Sequence, residues 1–113
     1  MSKNLIDQKT FDELKLMVGE DFIEELVDTY LEDSPQLLAE LRKGLDQGDA
    51  GAFRRAAHSL KSNSASLGAS KLAVIAKELE ERGRDGLLEG AEPKVRELET
   101  AYEKAAEELK SLL

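Results

Sequence analysis

From Phe22 to Leu45 the apolar side chains fall at helical spacing: Phe22, Leu26, Tyr30, Leu37, Leu41 and Leu45 lie on one stripe. The spacing predicts a helix from near Glu20 to about Gln47, far longer than most helices of small domains. Pro35 interrupts it and must either kink the helix or split it, with Ser34 as a new cap. The stripe keeps its phase across the proline, so one long, kinked helix is expected. Such a helix needs other helices against its apolar face.

The rest of the chain supplies them. Thr10-Phe11-Asp12-Glu13 reads as a capping box, giving a short first helix to about Val18, closed by Gly19. Gly48-Asp49 reads as a stop followed by a fresh N-cap. A third helix should run from about Ala50 to Leu67 and stop at Gly68. A fourth follows from Ala69 or Ser70 to near Arg84, with Leu72, Ile75, Ala76 and Leu79 buried, and Gly83 and Gly86 loosen the chain at its end. Pro93 suits the first turn of a fifth helix, whose stripe is Val95, Leu98, Tyr102, Ala105 or Ala106, Leu109 and Leu112. Short connections between long amphipathic helices favour antiparallel neighbours. The expected fold is all-α: an up-and-down antiparallel four-helix bundle with a short additional N-terminal helix, one domain over residues 1–113.

Composition excludes several function classes. With no cysteine there are no disulfides, thiol nucleophiles or thiolate metal sites. No window reaches the ~18 apolar residues of a membrane span. The start, MSKNLIDQKTF, lacks the apolar core of a signal peptide, so a cytoplasmic location is expected. A net charge of −8 argues against nucleic-acid binding. The charge is also unevenly spread. Residues 50–77 contain no Asp or Glu but carry Arg54, Arg55, Lys61, Lys71 and Lys77, so that stretch is +5 and the remainder −13.

The only histidine, His58, lies inside this basic stretch. On a helical wheel Phe53, Ala56, Ala57, Leu60, Ser64 and Leu67 share a sector about 100° wide, which must face the core. His58 falls roughly 150° from the middle of that sector and should face solvent. Its helical neighbours are Arg54, Arg55, Lys61, Ser62 and Ala65. Cations around an imidazole disfavour imidazolium and leave a nucleophilic lone pair. The same cations, Lys61 foremost, would stabilise a dianionic group placed on the ring. Ser62 and Ala65 are small enough to let a bulky partner approach. These residues suit a nitrogen that accepts and gives up a phosphoryl group. The plainer reading stands beside it: a surface histidine among solvated arginines, with Asn63 and Ser64 as polar residues near a helix end.

His58-Ser59-Leu60-Lys61-Ser62-Asn63-Ser64, continued by Leu67-Gly68-Ala69, Leu72 and Leu79-Glu80, resembles the signature AHxLKGxSxxxGAxxLxxxxxxLE of histidine-containing phosphotransfer (HPt) domains. The match covers residues 57–80, and the helix layout resembles the family's over nearly the whole chain. The resemblance implies that His58 is phosphorylated on a ring nitrogen and that Lys61 helps hold the phosphoryl group. It also implies that Gly68-Ala69 makes the tight turn into the next helix and that Ser64 packs and hydrogen-bonds beneath the site. One departure is Ser62, where the family often has glycine; a serine should tune partner contact rather than abolish transfer.

The resemblance further implies a phosphorelay intermediate with no ATP site or metal of its own. Its partners would be response-regulator receiver domains, which bring Mg²⁺ to their own aspartate, and a hybrid sensor histidine kinase. A helical adaptor that docks such domains without carrying phosphate is the alternative, and the intact His58 and Lys61 weigh against it. A self-associating bundle would need surplus apolar residues on the outer helix faces, where Glu, Lys and Arg prevail, so a monomer is expected. A complete chemotaxis-type kinase would need domains for which 113 residues leave no room.

Overall fold

The computed structural model describes residues 5–113, and among these it contains five helices and no strand. They are α1 (Gln8–Val18), α2 (Glu20–Gln47), α3 (Ala50–Ser66), α4 (Ser70–Asp85) and α5 (Glu92–Ser111). Packing runs in a ring, α2 on α3, α3 on α4, α4 on α5 and α5 back on α2, with α1 laid against α2. Side-chain pairs fix the directions. Tyr30 meets Ser64 near one end of the α2–α3 pair, and Gly44 meets Phe53 near the other. Those two helices are therefore antiparallel. The core of this four-helix bundle is formed by fully buried Leu41, Phe53, Leu60, Leu72, Leu79, Leu98 and Leu109, among others. No helix among the described residues is long and apolar enough to cross a membrane.

Helix α2 is continuous for 28 residues through Pro35, as the unbroken stripe predicted. Its buried row is Ile23, Val27, Tyr30, Ser34, Leu41 and Gly44: Tyr30 and Leu41 are buried as expected, but at the other levels the buried residue is a neighbour of the expected one. Phe22 is half exposed, and Leu26, Leu37 and Leu45 only flank the core. The sequence offers adjacent apolar pairs at 22–23, 26–27 and 37–38, and the polar Ser34 hides which row is inside. On α4, Ile75 likewise flanks the core instead of entering it.

The first helix is capped by Asp7 rather than Thr10. The Asp7 carboxylate accepts hydrogen bonds from the backbone N–H groups of Lys9 at 3.1 Å and Thr10 at 3.4 Å. Aspartate caps at least as well as threonine, and Asp7 also donates its own N–H to the carbonyl of Gly68 at 2.7 Å. That bond pins the start of α1 to the turn between α3 and α4. Gly68 takes φ = +85° there, a left-handed conformation suited to glycine, and its α-carbon faces the Asp7 carbonyl with no room for a side chain.

Gly83 also departs from expectation. It is buried within α4 and lets that helix approach the backbone of Arg54 on α3, so it tightens the bundle instead of loosening a terminus. Pro93 does stand in the first turn of α5, and Ala105 and Ala106 are both buried.

Candidate functional site

His58 stands at the middle of α3, with 60% of its side chain exposed. Its helix has Phe53, Ala56, Ala57, Leu60 and Ser64 on the buried side, which turns position 58 outward as the wheel required. The α3–α4 turn then brings α4 back alongside. At that level α4 presents Glu80. One of its carboxylate oxygens lies 2.8 Å from His58 Nδ1, and the other lies 2.7 Å from Lys61 Nζ.

This changes the expected electrostatics. The basic stretch of sequence holds no acid, but the fold supplies one from the neighbouring helix, so the imidazole is not surrounded by cations alone. Lys61, with its bond to Glu80, holds that carboxyl below its ordinary value; partial burial opposes the shift and the His58 contact adds to it. A carboxylate only accepts hydrogen bonds, so Nδ1 is the donor and carries the proton. The neutral ring then has its lone pair on Nε2, away from Glu80.

The other expected site residues divide into two groups. Ser62 and Ala65 are exposed on the His58 face, leaving a low surface beside the ring. Ser64 is fully buried and shares a 2.8 Å hydrogen bond with the hydroxyl of Tyr30 on α2, one layer beneath. Burial raises the Tyr30 phenol above its ordinary value, so it stays neutral there. Gly68 shapes the α3–α4 turn. Arg54 is exposed, with its backbone against Gly83. Arg55 runs back along its own helix, with Nη1 3.4 Å from where a Cβ on Gly51 would sit, so its charge lies a turn away from the imidazole. Of the three cations expected around His58, only Lys61 is linked to it, through Glu80.

Nothing in the local sequence pattern marks Glu80, Tyr30 or Asp7 for these roles. Glu80 closes the quoted motif, 22 residues beyond the histidine, and its acidity in that position was the available signal. Tyr30 falls on the apolar stripe of α2, and its hydroxyl gains a role only because the fold sets Ser64 opposite it.

Two separate hollows lie between α2 and α3. The one toward α1 is lined by Leu14, Leu26, Tyr30, Asn63 and Leu67. The one toward the α2–α3 turn is lined by Leu37, Glu40, Lys43, Asp49, Arg55 and Ser59. Leu16 and Met17 on α1 are largely exposed, and Phe22 on α2 is half exposed. The outer surface is therefore less uniformly charged than the sequence suggested.

A family model described as "Hpt domain" matches residues 25–108. A "Multistep phosphorelay regulator 1" from Schizosaccharomyces pombe is 32% identical over 93 residues, a match covering 76% of this chain. The chain spans about a third of that relative's length, 32%. The crystal structure of "histidine-containing phosphotransfer protein B (HptB)" from Pseudomonas aeruginosa PAO1 superposes with a TM-score of 0.91 at 34% identity. That superposition covers 97% of this chain and 95% of that one.

Proposed function

The chain belongs to the Hpt domain family, and on that premise we propose that it is a phosphorelay intermediate whose phosphoryl acceptor is Nε2 of His58. Family membership supports histidine phosphotransfer within a multistep phosphorelay, with response-regulator receiver domains as partners. The single observation that carries the assignment to Nε2 is the 2.8 Å contact between His58 Nδ1 and the Glu80 carboxylate.

The step is an in-line displacement. The Nε2 lone pair forms a bond to phosphorus as the P–O bond to the receiver's aspartate breaks, and that electron pair stays on the aspartate carboxylate. The Nδ1 proton remains between the ring and Glu80, whose charge offsets the positive charge developing on the imidazole. Lys61 Nζ, already fixed beside the ring, offers a cation to the phosphoryl oxygens. Reversal of these events passes the group to a second receiver. Mg²⁺ enters with the receiver's acidic pocket, not with this chain.

The docking surface we assign to the receiver surrounds His58 with the small residues Ser62 and Ala65. It continues into the hollow lined by Leu14, Leu26 and Asn63 and takes in the exposed Met17 of α1 and Phe22 of α2. An apolar patch of this kind beside a reactive group suits a transient protein partner. In this reading the protein acts as a monomer in the cytoplasm, and a hybrid sensor histidine kinase is the source of phosphate.

The test is transfer of labelled phosphate from a phosphorylated receiver domain in Mg²⁺ to the wild type and to His58→Gln. Acid-labile, alkali-stable label is expected on the wild type only. Receivers that bind the wild type yet never label it would instead make the protein a docking adaptor.

A further inference from the structure

Glu80 divides its two carboxylate oxygens between different partners, one on Nδ1 of His58 at 2.8 Å and the other on Nζ of Lys61 at 2.7 Å. Only 17% of its side chain is exposed, against 31% for Lys61 and 60% for His58, so of the three its charge is the least screened by water. The bond to Lys61 keeps that carboxyl ionised. The other charged groups near the site are Arg54 and Arg55 on α3, and Lys77 and Arg84 one turn either side of Glu80 on α4; all four are exposed. Among the described residues none of them pairs with His58, Lys61 or Glu80. The field at the imidazole is therefore set chiefly by the carboxylate and the ammonium.

Without phosphate this trio is neutral: a carboxylate, an ammonium and an uncharged ring. A phosphoryl group on Nε2 brings close to two negative charges at neutral pH. The ring, still holding its Nδ1 proton against Glu80, becomes cationic. Two effects of Glu80 then act in the same direction. When the N–P bond breaks, its electron pair returns to Nε2, and because Nδ1 has kept its proton the ring departs as neutral imidazole. A ring that had lost that proton would depart as imidazolate, a far stronger base and a poorer leaving group. Glu80 also repels the phosphoryl charge and occupies one of the three donor positions of the ammonium that would offset it.

Resting on the reading of His58 as phosphoacceptor, we propose that Glu80 is the positioning residue that limits how long phosphate stays on His58, by holding the Nδ1 proton and engaging Lys61. Its charge makes the loaded site a ready donor and not a store. Replacing the carboxylate by an amide leaves an acceptor for Nδ1–H but neither anchors the proton by charge nor claims Lys61. Loading and unloading are then affected unequally, and the balance between them moves toward phosphate retained on the histidine.

The experiment loads wild type, Glu80→Gln, Lys61→Met and the double variant with labelled phosphate from a receiver domain and removes the receiver. Loss of label is then followed in buffer alone and after fresh receiver is added, from mildly acidic to mildly alkaline pH. Glu80→Gln should hold its label about three- to tenfold longer than wild type and should unload more slowly than it loads. The difference should widen as pH rises, because the amide variant loses its Nδ1 proton first. It should shrink in the Lys61→Met background, where the part exerted through the ammonium is gone. A damaged fold shortens retention or prevents loading, so it cannot imitate a longer lifetime. Equal or shorter retention in Glu80→Gln, or no label on it, would overturn the proposal and leave the phosphoacceptor reading intact. Absence of label on the wild type would sink that reading itself.

Discussion

Gly83 brings α4 against the backbone of Arg54 so closely that a methyl group at position 83 would lie 2.9 Å from Arg54 Cβ and 3.0 Å from its Cα and N. This contact sets how near α4 runs to α3, and it lies one turn beyond Glu80 on the same helix. The approach of the two backbones therefore governs the reach of Glu80 to His58.

Gly83→Ala is expected to destabilise the bundle by about 1–3 kcal/mol, because the atoms in the way cannot swing aside. Alanine's helix preference, worth about 1 kcal/mol, acts in the opposite direction. Gly51→Ala provides the contrast. Gly51 is exposed, and its nearest outside neighbour is the flexible Arg55 Nη1 at 3.4 Å, so that change should gain a few tenths to about 1 kcal/mol. Urea unfolding of the two variants should shift in opposite directions. Equal shifts would mean that the close approach has no energetic weight.

Tyr30→Phe leaves the Ser64 hydroxyl buried without its partner and should cost about 1–2 kcal/mol. Ser64→Ala strands the Tyr30 hydroxyl in the same way. The double variant removes both polar groups, so its loss should be smaller than the sum of the two single losses. Strict additivity in chemical unfolding would show that the two hydroxyls do not depend on one another.

Glu80→Gln keeps an oxygen that can accept from Nδ1 but removes the charge that holds Lys61. Transfer to His58 should slow by no more than about tenfold, whereas Glu80→Ala, which frees the ring, should slow it by about 10–100-fold. The pH dependence follows from the lowered carboxyl of Glu80. A group with a depressed folded pKa stabilises the fold fully above its unfolded value, about 4.3 for glutamate, and loses that contribution as pH falls through the folded value. Melting temperature should therefore drop more steeply below about pH 4 for wild type than for Glu80→Gln. Parallel acid limbs would remove the ion pair from the account.

Much of this architecture was legible because helical periodicity is a local property. The first four helices end within one or two residues of where Gly19, Gly48, Gly68 and Gly86 punctuate the chain. The outward direction of His58 followed from the apolar residues of its own helix. What escaped depended on other helices. Phe22 and Ile23 compete for the core on equal chemical terms, and only the packing of α3 and α5 against α2 decides between them. Thr10 carries a proper capping signal, but Asp7 also gains a bond to Gly68, a partner 61 positions away. Gly83 looks like a helix breaker until the neighbouring backbone is seen. The acid beside His58 is absent from its stretch of sequence because it arrives across a turn.

That division of the site between two helices has a consequence for when the protein can work. Along the unfolded chain the histidine and the carboxylate that orders its protons are separated by 22 positions. A newly synthesised chain carries the whole of α3, yet its imidazole is free to exchange tautomers until α4 folds back beside it. With His58 as the proposed phosphoacceptor, competence to load phosphate arrives with the closing of the α3–α4 hairpin, which makes a completed fold the entry condition for the signal.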